Sequence, residues 1–555
     1  MPNFLENIFA QLQRSADRVV LREIHGEQFV GVTGRELLDQ VRSVRSYLRS
    51  AGLQPGDRCA LLAANSIQWA AFDLALMAEG IIVVPLYSRQ SPAELAAMLN
   101  DSQPRLLFVT DAALGDSALK SRPGNLPAVK RVRFDEVLKG AVSGRSIPDT
   151  PNARQDSNLV TIIYTSGTSG EAKGVCLTTA NVTHMLSCTA ERLNQLMGQT
   201  TEPDQVFHYA PFNFAASWIL LLSCLSRRSV LTLSTDLNRL ADEIRLSGPH
   251  YFLNVPTLLE RVRRGVEDAL AKRPAFIRTI FAKARDAWQR QRAGQSTRLD
   301  ALWLTLGRTL IFSKIKKRFG PRLRALICGS APLAPKTQQF FLMLGIPVLQ
   351  AYGLTETTAI CTLDDPRVPV EPGYVGQAIP GIEMKIAENN EIIVRGPHIF
   401  AGYWHRPEET ARVLREGWFH TGDQGEVNAR GNWRIIGRIK NLIILNSGHN
   451  VAPEPIEEKI AQRLPGAQHV VVVGNGRGYL CALIVGKVDS SAVQAALDSV
   501  NPGLPHYRQI RNFSVAAETF TADNGLLTAN GKLRRDAINA RFAAEINSMY
   551  DKKRA

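Results

Sequence analysis

Between residues 35 and 110, three stretches of helical periodicity alternate with three short apolar runs. Residues 35–48, 67–79 and 94–99 read as helices, and residues 58–63, 80–85 and 106–110 as strands. A strand reached through a helix lies beside its predecessor in the same direction. The alternation therefore dictates a parallel sheet with helices on both faces. The chain has 555 residues, more than one hydrophobic core organises, so at least two domains are expected. Residues 111–157, rich in Pro, Gly, Ser and charge, read as a connecting region.

The next apolar run, residues 159–163, reads as a short buried strand. It delivers Tyr164-Thr165-Ser166-Gly167-Thr168-Ser169-Gly170-Glu171-Ala172-Lys173-Gly174. Ten positions from Thr165 hold three glycines and four hydroxyl residues. Glycine lets successive backbone N–H groups turn inward and form a concave anion nest. The hydroxyls of Thr165, Ser166, Thr168 and Ser169 add donors, and Lys173 adds a mobile cation. Such a loop suits a polyphosphate. Gly-x-x-x-x-Gly-Lys cannot be threaded through it, so it is not the Walker loop. Taken alone, a glycine-rich surface turn is the alternative.

Further motifs follow in order. Residues 323–328 form a buried-strand pattern that ends in Gly329-Ser330-Ala331. A second strand runs into Gln350-Ala351-Tyr352-Gly353-Leu354-Thr355-Glu356. Trp418-Phe419-His420-Thr421-Gly422-Asp423 precedes a hairpin turn at Gly431-Asn432-Trp433, and Gly437-Arg438-Ile439-Lys440 follows it. Beyond Lys440 the pattern becomes that of a small α+β unit of about 115 residues, a size typical of an independent domain. It contains Ser447-Gly448-His449-Asn450-Val451 and, near its end, Ala529-Asn530-Gly531-Lys532-Leu533-Arg534-Arg535.

The loop at 164–174 and these ordered motifs closely resemble the AMP-forming adenylate ligases, the superfamily of acyl-CoA synthetases, luciferases and adenylation domains. The resemblance runs over residues 20–545. The stretch from Thr309 to Leu333 looks like the long-chain fatty acyl-CoA synthetases in particular. It implies a large α/β N-terminal domain, residues 1–440, of parallel sheets flanked by helices with a smaller β subdomain. A small mobile α+β C-terminal lid, residues 441–555, completes the expected fold.

The resemblance also implies roles. ATP is held by Thr165, Ser166, Gly167, Thr168, Ser169, Gly170 and Lys173. Gly329, Ser330 and Ala331 let the adenine approach the backbone closely, and the segment Gln350, Ala351, Tyr352 and Gly353 presents the Tyr352 ring to it. Thr355 donates to the α-phosphate, and Glu356 with Thr165 holds Mg2+, a hard cation that prefers oxygen. Asp423 accepts from the ribose hydroxyls and Arg438 braces ribose or phosphate. Lys440 is the hinge, Ser447 and Gly448 line the CoA tunnel, Phe214 lines the acyl pocket, and Lys532 is the adenylation lysine. The implied reaction makes an acyl-AMP from a fatty acid and passes the acyl group to CoA. The alternative acceptor is the phosphopantetheine of a carrier protein. A non-enzymatic nucleotide-binding or membrane-surface protein is the other class considered. His208 reads as a core or surface histidine rather than a catalyst.

Charge is concentrated. Residues 261–324 carry 18 Lys or Arg against 4 Asp or Glu, so +14 of the net +15 sits in this segment. Aromatics such as Phe276, Phe281, Trp288 and Trp303 are interleaved with the charge. Such a surface can sit on anionic membrane lipid. The alternative is a solvated helix face whose apolar side packs on the core. No nucleic-acid-binding motif accompanies the charge, so nucleic acid is not expected as a partner. The seven cysteines are scattered without a Cys-x-x-Cys pair, which signals neither zinc nor disulfides. The first residues lack a signal-peptide pattern, and a cytoplasmic location is expected. Trp218–Leu225 is the most apolar window but is too short to span a bilayer.

Overall fold

The computed structural model describes residues 2–123, 128–139, 147–166, 172–198, 202–528 and 531–551. A large α/β domain carries two mixed sheets. In the seven-stranded sheet the order is Gly402–Tyr403, Ala172–Thr178, Leu159–Ser166, Ile82–Leu86, Arg58–Leu62, Leu106–Val109 and Lys130–Arg133. The last five strands run parallel, as the alternating pattern requires. In the nine-stranded sheet the parallel core runs from Val348–Tyr352 through Ala325–Cys328, Tyr251–Asn254, Asp204–His208 and Ser229–Leu233 to Val19–His25. Helix Ile67–Ala78 touches strands of both sheets. It and Ala215–Ser226 are apolar on nearly all sides and almost wholly buried, as expected of helices between layers. Trp218 Nε1 donates to Asp73 Oδ2 at 2.9 Å and ties these two helices together.

A five-stranded antiparallel sheet, built on Glu391–Arg395, Trp418–Val427 and Trp433–Arg438, forms the smaller β subdomain. The C-terminal unit is α+β. Its sheet of Ala467–Val473, Leu480–Gly486 and Ile510–Ala516 carries helices on both faces. Strand alternation assigns them. Val470 and Val472 pack with Ile456 and Leu497 on one face, while Val471 and Val473 pack with Ile538 and Phe542 on the other.

Residues 111–157 are not merely a connection. They contain helix Ala112–Lys120, strand Lys130–Arg133 and helix Phe134–Lys139. The strand reads Lys-Arg-Val-Arg and lies at a sheet edge, where one buried position, Val132, gives too little apolar pattern to detect. Edge strand Gln28–Thr33 also escapes, because Phe29 and Val30 are adjacent apolar residues, both exposed, and break the alternation. The basic segment is helical, as Pro256–Ala271, Ala275–Arg292, Arg298–Gly307 and Ser313–Lys317. All seven cysteines are free and buried. Among the described residues no helix is long and apolar enough to cross a membrane.

Candidate active site

Strand Val348–Tyr352 ends where the nine-stranded sheet meets the β subdomain. Tyr352 Oη donates to Asp423 Oδ2 at 2.8 Å, and Arg438 Nε forms an ion pair with Asp423 Oδ1 at 2.7 Å. The Arg438 contact follows from register, because Asp423 and Arg438 are partners across adjacent antiparallel strands. Asp423 is buried, and burial pushes its carboxyl up; Arg438, Tyr352 and Lys532 pull it back. Burial also pushes the Tyr352 phenol well up, so it stays a donor.

After Tyr352 the chain turns tightly. A Cβ on Gly353 would lie 2.2 Å from the Ala359 carbonyl oxygen, so only glycine fits. Thr358 and Ala359 have positive φ, and so does Ser330 on the neighbouring strand end. Backbone outliers of this kind gather where a site demands them. Gly329 brings two backbones together: its Cβ would stand 3.2 Å from the Ala351 carbonyl. Ser330 and Ala331 are exposed at that strand end, beside the turn.

The turn Thr355–Thr357 holds Thr355 and Glu356 half-buried. Glu356 Oε1 accepts from Tyr403 Oη at 2.8 Å, and its backbone carbonyl accepts from Phe400. Tyr403 lies on the short strand that pairs with Val175, and Lys173 sits over its ring at 5.2 Å. Lys173 also pairs with Glu409 and is the strand partner of Thr165. Glu356, Tyr403, Lys173 and Thr165 therefore form one continuous wall. Gly167, Thr168, Ser169 and Gly170 lie outside the described residues, and only the backbone of Ser166 is described.

Lys532 comes from the C-terminal unit. It is exposed on the loop that leads into helix Arg535–Arg541. Burial and Arg438 push its ammonium down, while Asp423 and Glu356 hold it up. The lysine thus feels both carboxylates of the large domain. Arg534 Nη2 reaches Glu94 Oε1 at 2.8 Å, and Arg535 is held by Glu457 at 2.7 Å. Lys440, exposed at the junction, is pushed down to about 8, first by burial and then by Arg438.

Some expected residues stand apart. The Gln350 amide donates to Gln338 and to the Tyr374 carbonyl, both at 2.9 Å. It is spent bracing the strand from within the core and does not line the cleft. Ser447 and Gly448 lie on an exposed hairpin, where Gly448 N–H donates to the Leu445 carbonyl and the Ser447 hydroxyl meets His449 Nδ1 within the same unit. Phe214 caps the buried helix Ala215–Ser226, with its ring 5.9 Å from Tyr87. His208 is buried against Phe212, and burial pushes it down to about 4, which keeps it neutral. Tyr403 and Glu94 carry no signal in the sequence. Each matters only through a partner 47 or 440 residues away.

The site offers a two-oxygen acceptor at Asp423 and an oxygen ligand at Glu356, both felt electrostatically by Lys532. That arrangement can hold a ribose and a polyphosphate together.

Residues 8–404 match the family described as AMP-binding enzyme, and residues 440–554 match the AMP-binding enzyme C-terminal domain. The chain is 27% identical to the long-chain-fatty-acid–CoA ligase FadD15 of Mycobacterium bovis, across 99% of this chain and 97% of that protein. It is 28% identical to long chain acyl-CoA synthetase 1 of Arabidopsis thaliana, across 94% of this chain and 87% of that protein. The fold is that of o-succinylbenzoate CoA synthetase from Bacillus subtilis, solved with an acyl-adenylate intermediate. The TM-score is 0.75 at 21% identity, over 97% of this chain and 98% of that one. With one family description spanning most of the large domain and its companion spanning the C-terminal unit, the chain belongs to the AMP-binding enzyme family.

Proposed function

We propose that the chain is an ATP-dependent long-chain fatty acid:CoA ligase that works through an acyl-adenylate. The observation that carries this reading is Asp423 held by Tyr352 at 2.8 Å and Arg438 at 2.7 Å, with the loop of Lys532 seated on the large domain through Arg534 and Glu94 at 2.8 Å. A carboxylate is a poor acylating agent because oxide is a poor leaving group. In the first step a carboxylate oxygen bonds to the α-phosphorus of ATP, and the bond to the β-phosphate oxygen breaks to release pyrophosphate. In the second step the CoA sulfur bonds to the acyl carbon, and AMP leaves with the electron pair of the broken C–O bond.

The protein's work is alignment and charge compensation. Asp423, fixed by Tyr352 and Arg438, accepts from the ribose hydroxyls. Lys532 and Lys173 offset the repulsion between the acid and the phosphates, and Thr355 donates to the α-phosphate. Magnesium fits this chemistry. Glu356 has one oxygen engaged by Tyr403, and Thr165 adds a hydroxyl from the same wall. Among the described residues no group of three or more His, Cys, Asp or Glu could hold a metal ion. A hard cation that keeps its waters and binds substrate phosphates needs no such group. When bound it neutralises phosphate charge.

The residues 441–555 are proposed to act as a lid hinged at Lys440. Lys532 leaves after the first step, and the hairpin with Ser447 and Gly448 takes its place beside the thiol. The names of the relatives support a fatty acid as substrate and CoA as acceptor, and Phe214 beside Tyr87 supplies an aromatic wall for the chain. The deciding experiment is a panel of carboxylic acids scored for AMP release with and without CoA. Release that depends on long-chain acids and yields acyl-CoA is expected. Acyl-AMP that free CoA fails to discharge would point to a carrier protein instead.

A further inference from the structure

Leu299 and Phe276 are the most exposed large apolar residues among those described, at 67% and 63%. Leu302 and Leu310 are exposed too, and all four lie in the segment that carries the excess charge. The helices Ala275–Arg292 and Arg298–Gly307 form an antiparallel hairpin. Ala284 lies against Gly307, and Arg290 pairs with Asp300 near the tip. The hairpin has a well-filled inner side of Ala284, Ala287, Leu304, Ile311 and Phe312. Its apolar side chains divide accordingly. Phe281 packs on Phe312 at 6.3 Å, whereas Phe276 packs on nothing comparable and stays exposed.

The outer stripe is regular. Leu299, Leu302 and Leu306 recur at three- and four-residue intervals along one side of helix Arg298–Gly307, and Leu310 follows in the π-helical turn Arg308–Phe312. Arg298, Arg308, Lys314 and Lys317 are exposed in the same stretch, and Arg278 and Lys283 are exposed on the neighbouring helix. Three of the segment's four acids are engaged by arginines: Glu267 by Arg263, Asp286 by Arg285 and Asp300 by Arg290. The segment therefore exposes apolar side chains together with an excess of cations.

A second copy of the chain would bring the same excess of cations against itself. Nucleic acid would satisfy the cations but leave the leucines and Phe276 without use. A bilayer bearing anionic headgroups satisfies both sets, taking apolar side chains at the headgroup–acyl boundary and cations at the surface. We infer that the 275–317 hairpin face docks the protein peripherally on anionic membrane, with Phe276, Leu299, Leu302 and Leu310 inserted.

The test is flotation of the full chain with phosphatidylcholine vesicles, with or without phosphatidylglycerol. Partitioning onto the anionic vesicles should exceed that onto neutral ones by at least ~10-fold and fall with salt. Leu299→Asp with Leu302→Asp should lower it by at least ~10-fold, and Lys314→Glu with Lys317→Glu several-fold. Circular dichroism and melting temperature should stay at wild-type values. If the leucine pair fails to fold, Phe276→Ser on the neighbouring helix serves in its place. Wild-type partitioning by the variants overturns the inference. So does tight binding of a duplex oligonucleotide without vesicle binding, or a dimer that Leu299→Asp with Leu302→Asp dissociates.

Discussion

The Tyr352 hydroxyl donates to Asp423 across the seam between the parallel sheet and the β subdomain, at 2.8 Å. The two residues are 71 positions apart, and the carboxylate they share with Arg438 is buried. Burial alone would favour the neutral acid, so the donors keep Asp423 able to accept.

Tyr352→Phe removes one donor and keeps the ring. A hydrogen bond to a charged group contributes about 1.5–3 kcal/mol, so the Michaelis constant for ATP should rise roughly tenfold or more. The sign of the pH effect is fixed as well. Without the phenol the Asp423 carboxyl moves further up, and the acid limb of kcat/KM moves to higher pH. A limb that stays in place in the variant would show that Asp423 is not the titrating acceptor.

Lys532→Ala removes the cation set against Asp423 and Glu356. Acyl-adenylate formation should fall by at least ~10²-fold, the scale for one transition-state donor. Thioester formation from preformed acyl-AMP should persist if Lys532 leaves the site in the proposed lid movement. Equal loss in both half-reactions would contradict this division.

A hinge at Lys440 requires its backbone to rotate. Lys440→Pro fixes φ near −65° and should slow one half-reaction far more than the other. Single-turnover measurements of each step would read this directly. Unchanged rates in both would remove the hinge from Lys440.

The sequence exposes what is local. Strand–helix alternation names the parallel sheets, and two of the short motifs, those of Tyr352 and Asp423, meet in the fold. What it hides depends on contacts between distant segments. Tyr403 becomes meaningful only because a two-residue strand lies beside Val175 and aims its hydroxyl at Glu356. Gln350 sits inside a site motif, yet its amide turns into the core toward Gln338. No periodicity reports which way a side chain at a strand end will turn. The charged edge strand Lys130–Arg133 fails for a different reason, since its single inward side chain gives no alternation to see.

Asp73 makes stability depend on pH. It is fully buried against Trp218, and burial pushes its carboxyl up to about 7 from an ordinary 3.8. The unfolded chain loses this proton near pH 4 and the folded chain only near 7. Between those values the folded state binds more protons, so stability falls as pH rises and then levels off. Asp73→Asn should remove the slope. Relative to wild type, the variant should gain about 2–3 kcal/mol between pH 5 and pH 8, at 1.36 kcal/mol per unit. Melting temperatures of both proteins at the two pH values check this. Parallel shifts would mean Asp73 is ionised in the fold.

The last link is the contact between the C-terminal unit and the large domain. Arg534 meets Glu94 at 2.8 Å, with side chains 33% and 36% exposed. A pair so open to water contributes at most about 1 kcal/mol, which sets a ceiling near fivefold. Glu94→Gln keeps the helix cap that Glu94 forms with Ser91, because glutamine can accept from the same N–H, and removes only the charge. Acyl-adenylate formation should therefore slow two- to fivefold, while thioester formation from preformed acyl-AMP should hold or speed up, since Arg534 no longer resists lid release. Salt supplies an independent check. About 1 M salt shortens the screening length to roughly 3 Å and should bring the wild type toward the variant while changing the variant less. Exchanging the charges, Glu94→Arg with Arg534→Glu, should recover most of the first step. A uniform slowing of both half-reactions in Glu94→Gln would mean that the pair stabilises the fold and does not select the lid arrangement.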